Sequence, residues 1–183
     1  MTSFDKPAFS RRRVLSRPQI PVQPGLLQPG HAGGGVKDLR GHSLSRVRLS
    51  KTSSQSITNG GSNKVLTWDS TDVDTDEYVS GNDVVIPFTG QYEVAFTVKW
   101  AVASTNYRQA VVEVSTDEGN TWSGTSYLLS NEAALTGYAT INHGCAPRAF
   151  DKGDMLRLTV FQDSGGPINV AQAYLGVMFN GPS

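Results

Sequence analysis

Val84-Val-Ile-Pro-Phe-Thr-Gly-Gln-Tyr-Glu-Val-Ala-Phe-Thr-Val-Lys-Trp-Ala-Val102 holds two strand-forming runs on either side of a Thr89-Gly90 turn signal. In the second run Tyr92, Val94, Phe96, Val98, Trp100 and Val102 alternate with Gln91, Glu93, Ala95, Thr97, Lys99 and Ala101. Successive side chains of a strand point to opposite faces, so this run lays a bulky apolar face on a core and leaves a small or polar face opposite. A slip of one residue would turn every bulky group into water. The strand therefore pins the register of its neighbours.

The chain from Ser45 onward keeps the same period. Val47, Leu49 and then Gln55-Ser-Ile57 read as a first, edge-like strand, Asn59-Gly60-Gly61 as a turn, and Lys64-Val-Leu-Thr-Trp-Asp69 as the next strand. Tyr107 to Ser115 alternates again, with Arg108, Ala110, Val112 and Val114 on one side. Ser126 to Leu129, Gly137 to His143, Asp154 to Phe161 and Asn169 to Phe179 complete the series. Strands punctuated by Gly, Asn, Asp and Pro, with no long helical pattern, predict an all-β fold, a β-sandwich over residues 45–183. In the last run Ala171, Ala173, Leu175, Val177 and Phe179 face one way, while Val170, Tyr174 and Met178 make the other face partly apolar. A strand apolar on both faces needs a second partner, so these three residues are the expected subunit interface, with a threefold assembly as the leading arrangement.

Two loops carry recognisable chemistry. Ser115-Thr-Asp117-Glu-Gly119-Asn-Thr121-Trp122 matches the Asp-box pattern Ser-x-Asp-x-Gly-x-Thr-Trp at each defining position, a pattern known from sialidases and other β-rich proteins. It reads as a hairpin tip in which Asp117 caps turn amides, Gly119 supplies a backbone angle closed to other residues and Trp122 covers the hairpin. That is a folding device and not a catalytic one. Asp69-Ser-Thr-Asp-Val-Asp-Thr-Asp-Glu77 reads as an acidic loop in which Asp72, Asp74 and Asp76 recur at every second residue. Such oxygens suit Ca²⁺, the one cofactor the sequence admits, although the glycine and distal glutamate of an EF-hand are missing and a solvated loop is the plainer reading.

Residues 1–44 are of another kind. Five of the nine prolines (Pro7, Pro18, Pro21, Pro24, Pro29) and Gly33-Gly34-Gly35 lie here without apolar periodicity, so an extended arm is expected. Residues 1–50 carry a net charge of +7 and the remainder −7. Arg11, Arg12 and Arg13 with the apolar anchors Ile20, Val22, Leu26 and Leu27 suit docking on a larger surface. The arginines precede prolines and no apolar segment, so they are not read as an export signal, and without interleaved aromatics they are a poor nucleic-acid footprint. Cys145 has no cysteine to pair with, and a buried thiol is expected there. No apolar run approaches the roughly 20 residues of a membrane span, and a soluble protein without membrane contact is expected. His31, His42 and His143 join no Ser/His/Asp, paired-carboxylate or His/Cys metal pattern, so no enzyme is expected.

Ile86-Pro-Phe-Thr-Gly-Gln-Tyr-Glu-Val-Ala-Phe96, Asp151-Lys-Gly-Asp-Met-Leu-Arg-Leu158 and Ala173-Tyr-Leu-Gly-Val-Met-Phe179 resemble three landmarks of the jelly-roll family of complement globular heads and tumour necrosis factor. These are the entry to a central strand, a Gly-Asp turn and the closing strand, and the likeness covers about residues 45 to 180. The resemblance implies a compact homotrimeric jelly roll that binds ligands at its outer loops or between subunits. The chain departs from animal members in showing no collagen stalk, signal peptide or disulfide pair. A proline-rich basic arm on such a domain is similar in organisation to virion proteins of tailed bacteriophages. That likeness implies a structural protein on the tail or capsid surface, joined to other virion proteins by its arm. A minor tail or tail-tip component leads, with a host-surface glycan or protein as further partner. A capsid decoration protein and a secreted or cell-surface carbohydrate- or protein-binding module are the alternatives.

Overall fold

The computed structural model describes residues 45–123 and 127–183. The expected arm, with Arg11, Arg12, Arg13, Ile20, Val22, Leu26 and Leu27, lies outside the described residues. Strands are numbered in chain order and pack as two antiparallel sheets. Sheet A runs β10 (Ile141–Phe150), β7 (Gly90–Trp100), β12 (Ile168–Gly181), β1 (Arg46–Lys51) and β4 (Ser70–Asp74), with β2 (Gln55–Ile57) also paired to β12. Sheet B runs β5 (Val79–Ser80), β6 (Asp83–Val85), β11 (Met155–Gln162), β8 (Tyr107–Ser115) and β9 (Leu128–Ala133), with β3 (Lys64–Val65) paired to β11. The described residues form no helix, and the architecture is a jelly-roll β-sandwich.

The alternation of β7 is realised on both faces. Tyr92, Val94, Phe96, Val98 and Trp100 are buried, whereas Gln91, Glu93 and Lys99 are exposed. Val102 departs from this reading at 60% exposed, because the strand ends at Trp100 and the Ala101 N–H turns aside to donate to the Asn169 carbonyl. The Thr89-Gly90 signal is a crossing between sheets and not a hairpin, since β6 belongs to sheet B and β7 to sheet A. Gly90 is needed there for space: a Cβ would sit 2.5 Å from the Gly181 carbonyl oxygen and 2.5 Å from the Phe179 ring. Beneath this corner Tyr92 meets Phe179 and Phe150 at ring separations of 5.1 and 6.0 Å, and its hydroxyl donates to the Phe88 carbonyl at 2.7 Å.

The first strand is not an edge. β1 lies between β12 and β4, and the strand ends after Lys51 because the next amides are taken by Asp69. The Asp69 carboxylate accepts the Thr52 and Ser53 N–H groups at 2.7 and 2.5 Å, the Ser53 hydroxyl at 2.7 Å and the buried Lys51 ammonium at 3.5 Å. The expected strand Lys64 to Asp69 shrinks to Lys64–Val65, and the expected acidic loop is in part strand β4. Donation from Ser53, then Thr52, with Lys51 nearby, holds the Asp69 carboxyl far below its ordinary value of 3.8. A depressed carboxylate stabilises the fold above its unfolded pKa and loses that contribution as pH falls toward its folded pKa. Melting temperature is therefore expected to fall more steeply below about pH 4 in the wild type than in Asp69→Asn, which cannot titrate. Parallel acid melts of the two proteins check this.

On the opposite side of the sandwich the sheets are joined by a polar clip. Asn142 of β10 is fully buried; its amide donates to the carbonyls of Arg108 and Ser130 at 3.1 and 3.0 Å, and its oxygen accepts the Trp100 indole N–H at 2.7 Å. Trp100 and Asn142 lie in sheet A, while Arg108 and Ser130 lie in sheet B. One amide therefore ties four strands together. Arg108 faces the core as the pattern of β8 requires, donates to the Thr105 and Tyr107 carbonyls at 3.1 and 3.0 Å, and holds its guanidinium 5.8 Å from the Trp100 ring centre. The hydrogen-bonding edges of sheet A are β4, with its aspartates, and β10, whose Ala146 carbonyl accepts the Tyr127 hydroxyl.

Candidate functional site

The small and polar face of β7 becomes the middle of the outer surface of sheet A. Register aligns its side chains in rows: His143, Thr97, Tyr174, Ser50 and Ser70; Cys145, Ala95, Gly176, Arg48 and Val73; Pro147, Glu93, Met178 and Arg46. Ala95 and Gly176 are the smallest residues of their row, so the surface dips between Tyr174 and Met178. Two adjoining hollows form there, of about 270 and 200 Å³, both lined by Ala95 and Gly176. Arg48 frames one side, its guanidinium 4.9 Å from the Tyr174 ring centre and 3.4 Å from Asp72. Hydroxyl donation from Ser50 and then Ser70, with Arg48 beside it, holds the Asp72 carboxyl below its ordinary range.

This surface contains part of the interface read from the sequence. Tyr174 and Met178 lie on it, with Met178 38% exposed, but Val170 is fully buried and belongs to the core. The reason is a β-bulge between Val170 and Gln172, which shifts the phase of β12 by one residue against β7. Sequence reasoning missed Arg48, Ala95, Thr97 and Gly176. The signal was present in the small-and-polar face of β7, which was read only as the solvent side. Cys145 also departs from expectation, since its place opposite Ala95 on this outer face leaves the thiol exposed. Partial desolvation by its surroundings, and then the neighbouring Glu93, push its pKa up.

The three aspartates have separate partners. Asp72 serves Ser50, Ser70 and Arg48; Asp74 accepts the Tyr78 and Val79 N–H groups at 2.8 and 3.2 Å; Asp76 accepts the Thr75 hydroxyl at 2.9 Å. Among the described residues, no three His, Cys, Asp or Glu side chains converge as a metal site would require.

The Asp-box residues do come together at the tip joining β8 to β9. The Ser115 hydroxyl donates to Asp117 at 2.7 Å and accepts the Gly119 N–H at 2.9 Å, while Asp117 accepts the Thr121 N–H and hydroxyl at 2.8 and 2.6 Å. Gly119 takes φ +84°, a left-handed angle that favours glycine. Trp122 folds back onto the Arg157 guanidinium, 4.0 Å from the ring centre, and Arg157 pairs with Glu113 at 2.7 Å. The Trp122 contact thus anchors the tip to the outer face of sheet B.

No protein-family model matches the chain, and no curated protein matches it in sequence. Solved structures do match in fold. The Eiger TNF of S. frugiperda superposes with a TM-score of 0.57 at 11% identity, covering 77% of this chain and 95% of that one. Murine APRIL gives 0.55 at 11% identity over 74% and 99% of the two chains. The globular domain of zebrafish complement 1qA protein gives 0.51 at 11% identity over 72% and 94%. The chain therefore has the tumour necrosis factor and complement-head type of jelly-roll fold.

Proposed function

We propose that this chain is a structural, non-enzymatic protein of a tailed-bacteriophage particle: a homotrimeric jelly roll fixed to other virion proteins by residues 1–44, in a minor tail or tail-tip position. The observation that carries the assembly is the dimpled outer face of sheet A. Its centre of Ala95, Thr97, Tyr174, Gly176 and Met178 is apolar or small, while Arg46, Arg48, Glu93 and His143 surround it. An uncharged centre within a charged rim is the composition of a protein interface, and a second copy offers a matching surface. The particle assignment is supported by charge and composition: a proline-rich arm opposite in sign to the rest of the chain is suited to lie along a larger assembly.

Deleting residues 1–44 is expected to leave the oligomeric state unchanged and to abolish incorporation into purified particles. The check is light scattering of the truncated protein together with imaging or mass analysis of the particles. Incorporation at the wild-type level would remove the docking role of the arm and favour a free-standing binding module.

A further inference from the structure

A third hollow, of about 260 Å³, lies between the Asp-box tip and β10, lined by Val114, Thr116, Thr121, Trp122, Ser123 and Arg148. We propose that it binds a carboxylate-bearing sugar residue, with Arg148 as the carboxylate anchor.

The arginine is held in place by its neighbours. Its guanidinium lies 4.9 Å from the Tyr127 ring centre and 5.3 Å from that of Phe150, and these two rings meet edge to face at 89°. Tyr127 is fixed in turn by its hydroxyl bond to the Ala146 carbonyl. Among the described residues the Arg148 guanidinium makes no hydrogen bond and no carboxylate pairs with it. A guanidinium packed on aromatic faces keeps its planar fork of N–H donors at the ring edges, the geometry that grips a carboxylate by two parallel bonds.

The rest of the lining sets the class of ligand. Thr116 and Ser123 present hydroxyls that can exchange bonds with sugar hydroxyls. Thr121 is committed to Asp117 and shapes the wall. With Arg157 over one face of Trp122, the remaining indole surface offers an apolar platform to a ring. The volume is below the roughly 300–1,000 Å³ of drug-sized sites, which suits one sugar ring and not an extended oligosaccharide. One cation without a helix terminus or glycine nest is a poor match for phosphate. The site lies away from the outer face of sheet A, because Arg148 is in register with core-facing Tyr92 and so leaves β10 on the opposite side from Cys145 and Pro147.

The proposal gives a site to the host-surface glycan partner expected from the sequence and rests on the proposed particle role only for its biological meaning. The test uses the full chain in solution, so its failure would leave the assembly and particle assignments standing. Titration with glucuronate, followed by NMR at the Trp122 indole N–H and the Thr116 and Ser123 amides, is expected to give saturable shifts. Glucose is expected to bind at least about tenfold more weakly, since it lacks the charge-assisted pair. Arg148→Gln, at an exposed position, is expected to keep the indole spectrum of the folded protein and to erase the preference for glucuronate. Absence of shifts at Trp122 up to several tens of millimolar glucuronate would overturn the site. Equal shifts with inorganic phosphate would overturn the sugar assignment.

Discussion

Replacing Asn142 by alanine is expected to lower the unfolding free energy by about 4 kcal/mol, because it strips partners from several buried polar groups at once. The Trp100 indole N–H would lose its acceptor, and the Arg108 and Ser130 carbonyls would lose their shared donor. Each buried group left unpaired costs roughly 1–3 kcal/mol, more than the net worth of the bond itself. The double variant Asn142→Leu with Trp100→Phe removes the indole donor together with its acceptor. It should be less destabilised than the two single changes added together. Chemical denaturation of the wild type, Asn142→Ala, Asn142→Leu, Trp100→Phe and the double variant checks both statements, and strict additivity would show that the clip carries no coupling.

Gly176→Arg is expected to convert the proposed trimer into a folded monomer. A Cβ at Gly176 would approach only the Val47 and Ala95 carbonyl oxygens, at 3.9 and 4.0 Å, so the isolated domain has room for a side chain there. In the proposed trimer the same side chain would place a cation at the centre of the patch that association would bury, beside Arg48 in its row. A charge buried without a partner costs several kcal/mol, enough to weaken association by about a thousandfold or more. Sedimentation or light scattering at micromolar concentration reads the outcome, with circular dichroism confirming the fold. A trimer that persists would place the interface elsewhere.

The parts of this molecule visible in its sequence are those governed by local period. Tyr92 to Trp100 could be assigned to the core because β7 runs straight, with no bulge to change its phase. The Asp-box tip was visible because its hydrogen bonds close over a few residues. What escaped depends on contacts distant along the chain. Val170 was set on the wrong face because the bulge in β12 appears only when the strand is laid against β7. The aspartates of β4 looked like a loop, yet Asp72 lies within a strand that pairs with β1, some 20 residues earlier in sequence. Arg148 gave no signal, since the aromatic cradle that holds it joins Tyr127 to Phe150 only after the hairpin has folded over β10.

The two margins of sheet A bear on how the molecule avoids its own kind in the wrong orientation. An open strand margin is a template for another strand, and uncontrolled growth along it leads to fibres. Here β4 carries Asp72 and Asp74 at one margin, and at the other the Ala146 carbonyl is already occupied by Tyr127. Lateral extension of the sheet is thereby discouraged at both ends, while its broad, dimpled side stays open. In the trimer proposed above, association through that side closes about an axis, a geometry that stops after a fixed number of copies.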